Sequence, residues 1–164
     1  MTIASGGSEG IAAGAKVSGL TVTNGVTMVV SSGGTATGTA LHGGTEIVSS
    51  GGVIGGAVTF KANSKLSVAA KTGVALTVSG FAATDTLDLA SFQFHTTETL
   101  SFVENAAKTK GVLTITDGTL HASITLFGLH VAAGFHLASD GAGGTDITYA
   151  PPPAAHLELA AKHT

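Results

Sequence analysis

The stretch from Gly19 to Val68 decides the fold, because it repeats one pattern three times. It reads GLTVTNGVTMVVSSGG (19–34), TAT (35–37), GTALHGGTEIVSSGG (38–52), VIG (53–55) and GAVTFKANSKLSV (56–68). Gly19, Gly38 and Gly56 open the three copies, so the repeat length is 19 and then 18 residues. Each copy contains two short runs rich in Val, Ile, Leu or Thr, and Ser-Ser-Gly-Gly closes the first two copies.

These residue types at this spacing predict a β-solenoid. β-Branched side chains fit a pleated sheet, and glycine adopts the positive φ angles that tight corners require. One coil cannot bury its apolar side chains alone, so we expect successive coils to stack about 4.8 Å apart. The residues predicted to point inward are Val22, Met28, Val30, Leu41, Ile47, Val58, Phe60, Leu66 and Val68.

The pattern fades near residue 73, where Lys71-Thr72-Gly73 replaces Ser-Ser-Gly-Gly. We therefore predict β-solenoid repeats over 1–73, a C-terminal β-rich capping module over 74–150, and a Pro-led tail over 151–164. Within the module, alternating runs on either side of Asp117-Gly118 predict a β-hairpin. The fold class is therefore all-β.

Composition excludes several classes of function. Charged residues make up only 10% of the chain, the net charge is -3, and every basic residue is Lys, which argues against nucleic-acid binding. The absence of Cys excludes disulfide scaffolds, zinc-thiolate sites and thiol catalysis. No apolar run is long enough to span a membrane.

The stretch DGAGGTDITY, which begins at Asp140, partly matches the calcium-binding nonapeptide GGxGxDxUx. Gly144 and Asp146 fit this motif, but Ala142 stands where glycine is required and Thr148 where a large aliphatic residue is required. The motif also works by stacking copies, and only one is present. The stretch therefore predicts a glycine-rich hairpin loop, with Asp140 and Asp146 as weak candidate ligands for Ca²⁺.

Two further groups of polar residues suggest chemistry. Three histidines can bind zinc, but His121, His130 and His136 fall on different predicted strands, so surface or satisfied histidines are the favoured interpretation. Asp85 and Asp88 suggest a carboxylate pair for acid–base catalysis. Residues three apart on a strand point to opposite faces, so we expect a turn aspartate and a solvated one instead.

The sequence favours a protein without catalytic activity. Polysaccharide lyases and hydrolases built on β-helices need clustered acids with Lys or Arg along one face, whereas these coils offer Glu46 and isolated lysines. There is no phosphate-binding GxxxxGK[ST] loop. We expect neither catalytic nor cofactor-binding residues.

The segment SGGTATGTALHGGTEIVSSGG (32–52) resembles the passenger repeats of AIDA-type self-associating autotransporter adhesins. The later segments GFAATDTLDL (80–89), LTITDG (113–118) and ASDGAGGT (138–145) resemble a module that follows such repeats in large bacterial secreted proteins. The resemblance implies a right-handed parallel β-helix, secreted or at the bacterial cell surface, that acts in adhesion or aggregation.

These observations together predict a structural and adhesive module. Its expected partners are other copies of itself or surface glycans, bound through rows of exposed hydroxyl groups whose weak contacts add up by avidity. The alternative is a carbohydrate- or calcium-binding domain of a secreted protein, centred on residues 81–149.

Overall fold

The computed structural model describes residues 6–69 and 73–153, and β-strands account for almost all of its regular structure. One short 3-10 turn, Ala132–Gly134, joins two of the strands. The strands are β1 (Ser8–Ile11), β2 (Lys16–Ser18), β3 (Thr21–Thr23), β4 (Thr27–Val30), β5 (Thr35–Thr37), β6 (Ala40–His42), β7 (Thr45–Val48), β8 (Val53–Gly55), β9 (Ala57–Lys61), β10 (Lys65–Val68), β11 (Val74–Ser79), β12 (Thr86–Leu89), β13 (Thr99–Glu104), β14 (Lys110–Asp117), β15 (Leu120–Phe127), β16 (Phe135–Ser139) and β17 (Thr145–Tyr149).

The strands form three sheets that run along a β-solenoid, as the repeat predicts. Sheet I has the order β1-β4-β7-β10-β12-β17-β16, sheet II the order β2-β5-β8, and sheet III the order β3-β6-β9-β11-β15-β14-β13. Strands one coil apart pair in parallel, for example β4 with β7 and β6 with β9. Gly19 and Gly38, which open successive copies, lie one above the other, because their N–H groups donate to the carbonyls of Thr37 and Gly55 in the next coil.

Each of the first three coils has three strands, whereas the sequence indicated two. The additional strands are β2, β5 and β8 of sheet II, and β5 and β8 are the TAT and VIG segments. Each of these strands is only three residues long and lies between two corners, so no alternating run marks it.

The solenoid interior consists of stacked apolar columns. In sheet I one column contains Val30, Val48, Val68 and Leu89, which share a register and are all buried. Burying each such side chain contributes about 1.5–3 kcal/mol before the loss of conformational entropy is subtracted.

Eight of the nine residues predicted to point inward are buried, and the prediction for Ile47 is wrong. Val48 occupies the inward column with Val30 and Val68, and side chains alternate along a strand. Ile47 therefore points outward and is 36% exposed, while Glu46 points inward and is fully buried.

Parallel stacking continues across the boundary between residues 73 and 74. Strand β11 pairs in parallel with β9, β12 with β10, and β15 with β11. Two antiparallel hairpins then extend the sheets: β13 and β14 extend sheet III, and β16 and β17 extend sheet I.

The hairpin predicted around Asp117-Gly118 is confirmed, since β14 and β15 pair with Asp117 opposite Leu120. The glycine-rich hairpin loop predicted after Asp140 is confirmed as well, between β16 and β17. Most of the predicted tail, 154–164, lies outside the described residues. In the described part of the chain, no helix has the length and apolar character needed to cross a membrane.

Candidate functional site

The outer face of sheet III contains an area without charged side chains. Two adjacent rows cross its strands, and every member is fixed by the strand register. The first row is Ala57, Thr77, Thr125, Val112 and Val103, and the second is Ala75, Ser123, Thr114 and Ser101. We call these two rows the hydroxyl face.

The hydroxyl face combines hydroxyl groups with exposed apolar side chains. Neighbouring strands in a sheet lie about 4.8 Å apart, so the hydroxyls recur at that interval across the rows. Val103 is 69% exposed and Val112 is 39% exposed. In the row beside the face, the hydroxyls of Thr59 and Ser79 lie 3.0 Å apart, which shows that hydroxyls on adjacent strands are close enough to hydrogen-bond.

The outer face of sheet I is different, because charged residues interrupt it. Thr27, Thr45, Lys65 and Thr86 share one row. The Lys65 Nζ lies 3.2 Å from Asp88 Oδ2 and 3.3 Å from Asp146 Oδ1. Burial lowers the pKa of Lys65, but the two aspartates outweigh this effect and the pKa is raised, so the ammonium form is favoured.

The candidate calcium ligands Asp140 and Asp146 have other partners. Asp140 Oδ1 accepts hydrogen bonds of 2.7 Å from the N–H groups of Ala142 and Gly144, and the Ala142 bond is the main cause of its lowered pKa. Asp146 faces Lys65. Across residues 6–69 and 73–153, the structure brings together no group of three His, Cys, Asp or Glu side chains that could hold a metal ion.

Asp85 and Asp88 play two different structural roles. Asp85 is a turn residue as expected, and its carboxylate accepts hydrogen bonds from the N–H groups of Ser64 (2.9 Å) and Ala82 (3.0 Å). The expectation that Asp88 is solvated is wrong, since it is only 6% exposed. It lies directly opposite Asp146 in an antiparallel pair, where Lys65 bridges the two carboxylates.

The three histidines lie in three different environments. His121 is exposed beside the Thr116 hydroxyl (3.2 Å), and His136 is exposed on β16. His130 is buried, and its Nε2–H donates to the Phe81 carbonyl over 3.1 Å. Its ring packs among Phe102, Phe135 and Tyr149, with centroid distances of 6.2, 5.7 and 4.8 Å.

An open groove of about 490 Å³ lies beside His130. Phe81, Phe127, Leu129, Tyr149 and Pro151 are among the residues that line it, so its walls are mainly apolar. Phe127 and Leu129 are 43% and 68% exposed. Phe127 also belongs to the outer row that contains Ser79 and Thr59, which places an aromatic ring next to hydroxyl groups on sheet III.

The sequence pattern does not reveal that Glu46 is buried. Thr39 Oγ1 donates to Glu46 Oε1 over 3.4 Å, and both residues lie in the solenoid interior. Counting alternate residues back from Val48 would have placed Glu46 inside, but the apolar Ile47 suggested the opposite register. Burial raises the pKa of Glu46 to about 7, against a smaller lowering by the Thr39 hydrogen bond.

Comparison of the chain with models of protein families, with curated proteins and with solved structures gave no match. The class of the protein therefore follows from its architecture: it is a β-solenoid whose sheets I and III end in antiparallel hairpins.

Proposed function

We propose that this protein is a non-catalytic structural and adhesive module of a secreted or cell-surface bacterial protein. Its binding surface is the hydroxyl face of sheet III, and its partners are other copies of itself or surface glycans. The observation that carries the proposal is that two adjacent rows of this face, across several strands, contain no charged residue. The resemblance of residues 32–52 to adhesin repeats supports a secreted or cell-surface location.

An uncharged face favours contact between identical molecules. Two copies meet there without the repulsion that like charges cause, which would amount to several kcal/mol for charges placed against each other. Hydroxyl groups can bond across the contact in either direction, because each is both a donor and an acceptor. Val103 and Val112 add apolar area, which is favourable to remove from water.

Individual contacts on this face are weak, so avidity supplies strength. A rigid solenoid keeps the rows in fixed register, and a surface that carries many copies presents many such rows at once. Linked weak sites can exceed the affinity of one site by about 10²–10⁴-fold. This property suits adhesion and aggregation between surfaces.

A bead-clumping experiment tests the proposal with the full chain attached to beads. Wild-type beads are expected to clump, and the double variant Thr77→Glu with Thr114→Glu is expected to reduce clumping roughly tenfold or more, because buried charges must lose their hydration. The matched control, Thr27→Glu with Thr35→Glu, adds the same charge on sheets I and II. It should clump like the wild type.

Two outcomes contradict this assignment. Wild-type beads that neither clump nor bind glycan-coated beads would remove the adhesive function. Equal loss in both double variants would show a general effect of negative charge and would exclude the hydroxyl face as the specific surface. Circular dichroism of each variant confirms that the strands are retained.

Glycan binding is the second candidate, favoured by the exposed ring of Phe127 beside Ser79. An aromatic side chain offers a flat apolar surface with specific contact geometry, and the neighbouring hydroxyls can bond to sugar hydroxyls. Phe127→Ser should abolish any signal on a glycan array and leave clumping between copies unchanged. Unchanged array signals in this variant would exclude the Phe127 site.

A further inference from the structure

Glu46 is a single acidic interruption in the buried part of an apolar column. The column runs through Met28, Glu46, Leu66, Leu87 and Ile147 on successive strands of sheet I. Each of these five side chains is 0% or 1% exposed. The Oε2 atom of Glu46 has no hydrogen-bond partner within the described residues.

Thr39 interrupts a second column on the opposite side of the interior. The register of sheet III aligns it with Leu20, Val58, Val78 and Leu126, all of which are buried. The two polar residues meet across the core, where the Thr39 hydroxyl makes its 3.4 Å hydrogen bond to Glu46. The pair therefore lies in surroundings that are otherwise aliphatic.

Charged groups on the neighbouring strands do not compensate for a charge on Glu46. β4 carries no titratable residue, and Lys65 of β10 points outward to Asp88 and Asp146. His42 of β6 and Lys61 of β9 follow buried residues and so point outward. Glu9 of β1 shares the column, two strands away and partly exposed.

We propose that the Thr39–Glu46 pair makes the solenoid proton-dependent: the folded coils hold Glu46 in its neutral form and lose stability when the proton leaves. A neutral carboxyl group in this column leaves one polar atom unsatisfied, whereas a carboxylate would be a buried charge with one long hydrogen bond. The second situation is far less favourable in an apolar interior.

The direction of the pH dependence follows from linkage. Burial raises the pKa of Glu46 to about 7, above its value in the unfolded chain. Between the two values the folded state binds more protons, so stability falls as the pH rises. The contribution of Glu46 to stability is constant below the pKa of the unfolded chain. It declines between that value and the pKa of the folded protein, and it is constant again at higher pH.

Urea unfolding of the full chain at several pH values tests the proposal. The folding equilibrium constant of the wild type is expected to fall roughly 30-fold between about pH 5.5 and about pH 8.5 through Glu46. Glu46→Gln should remove this fall, because Gln does not titrate. Glu98 also has a pKa raised by burial, so Glu98→Gln is the matched control and should retain the decline caused by Glu46.

The apolar double variant Thr39→Val with Glu46→Met serves if Glu46→Gln fails to fold, since it continues the columns of Val58 and Met28. This variant should fold, and its stability should show no decline caused by residue 46 between about pH 5.5 and about pH 8.5. A carboxyl-carbon NMR titration of the wild type measures the proton directly and should show Glu46 titrating near pH 7. A titration near the ordinary Glu value, or an unchanged decline in Glu46→Gln, overturns the proposal.

Discussion

Two corners of the solenoid are held together by different means. At the corner between sheets I and II, glycine backbone groups bond from coil to coil: Gly14 N–H donates to Gly33 O (2.9 Å), and Gly33 N–H donates to Gly51 O (2.8 Å). At the corner between sheets III and I, side chains also accept from the backbone of the preceding coil. Gly43 N–H donates to Ser64 Oγ (3.0 Å), and Ser64 N–H donates to Asp85 Oδ1 (2.9 Å).

The difference shows that one solenoid can be built with two kinds of corner. Glycine corners need only backbone conformation, so they repeat in sequence and are visible as Ser-Ser-Gly-Gly. Side-chain corners depend on a partner 21 residues away, so they leave no repeated motif. The stacking itself continues unchanged from one half to the other, through β9 and β11.

The largest expected effect on stability is at the junction of the two halves of the chain, the regular coils up to residue 73 and the module that follows them. Phe60 is buried, and its ring meets the ring of Phe81 edge-on at 5.5 Å. Replacing Phe60 by Ala should destabilise the protein by about 4 kcal/mol, because it leaves a cavity and removes an aromatic contact. Urea unfolding followed by circular dichroism measures this change.

The same experiment shows whether the two halves unfold together. Continuous pairing of β9 with β11 predicts a single transition that shifts as a whole in Phe60→Ala. Two transitions, of which only the first shifts, would show that the halves are separate units. Val53→Ala, at a side chain 49% exposed, is the control and should change stability by less than about 0.5 kcal/mol.

Glycine residues at the corners should be sensitive to substitution for two separable reasons. A Cβ at Gly44 would lie 2.6 Å from Val22 Cγ1 and 2.7 Å from the carbonyl oxygen of Thr23. We expect Gly44→Ala to destabilise the protein by about 3 kcal/mol through this overlap with the preceding coil.

The control separates overlap from backbone conformation. Gly38 has φ +62 but open space around its Cβ position, so Gly38→Ala should lose only about 1 kcal/mol, from the strained φ alone. Thermal or urea unfolding of both variants measures the difference. Equal losses at the two positions would show that close approach between coils does not limit these corners.

The sequence was informative where residue type alone determines the geometry. Glycine spacing predicted the stacked coils, and alternation identified eight inward side chains. The same alternation gave the wrong register at Glu46 and Ile47. Ile47 is apolar but exposed, so the pattern placed it inside and Glu46 outside. The aromatic cluster around His130 could not be predicted, since it joins residues from β13, β16 and β17 through tertiary packing.

Side-chain corners should be sensitive to the loss of an acceptor. Asp85 is 1% exposed, and its two oxygens accept from Ser64 N–H and Ala82 N–H. Asp85→Asn keeps one acceptor and turns a donor towards the other N–H, so about 2 kcal/mol of stability should be lost. Asp140→Asn, in the exposed loop, is the control. A loss for Asp85→Asn no larger than that of the control would mean that glycine-type backbone bonding suffices at this corner too.

The smallest effect is expected where the charged outer face of sheet I contrasts with the hydroxyl face. Lys65→Met would leave Asp88 and Asp146 opposite each other without the ammonium group between them. Since Lys65 is partly exposed, the loss should be about 1 kcal/mol. It should shrink further in high salt, because salt screens the repulsion between the carboxylates. Urea unfolding at low and high salt measures both effects, and a loss that salt leaves unchanged would assign it to packing of the lysine stem.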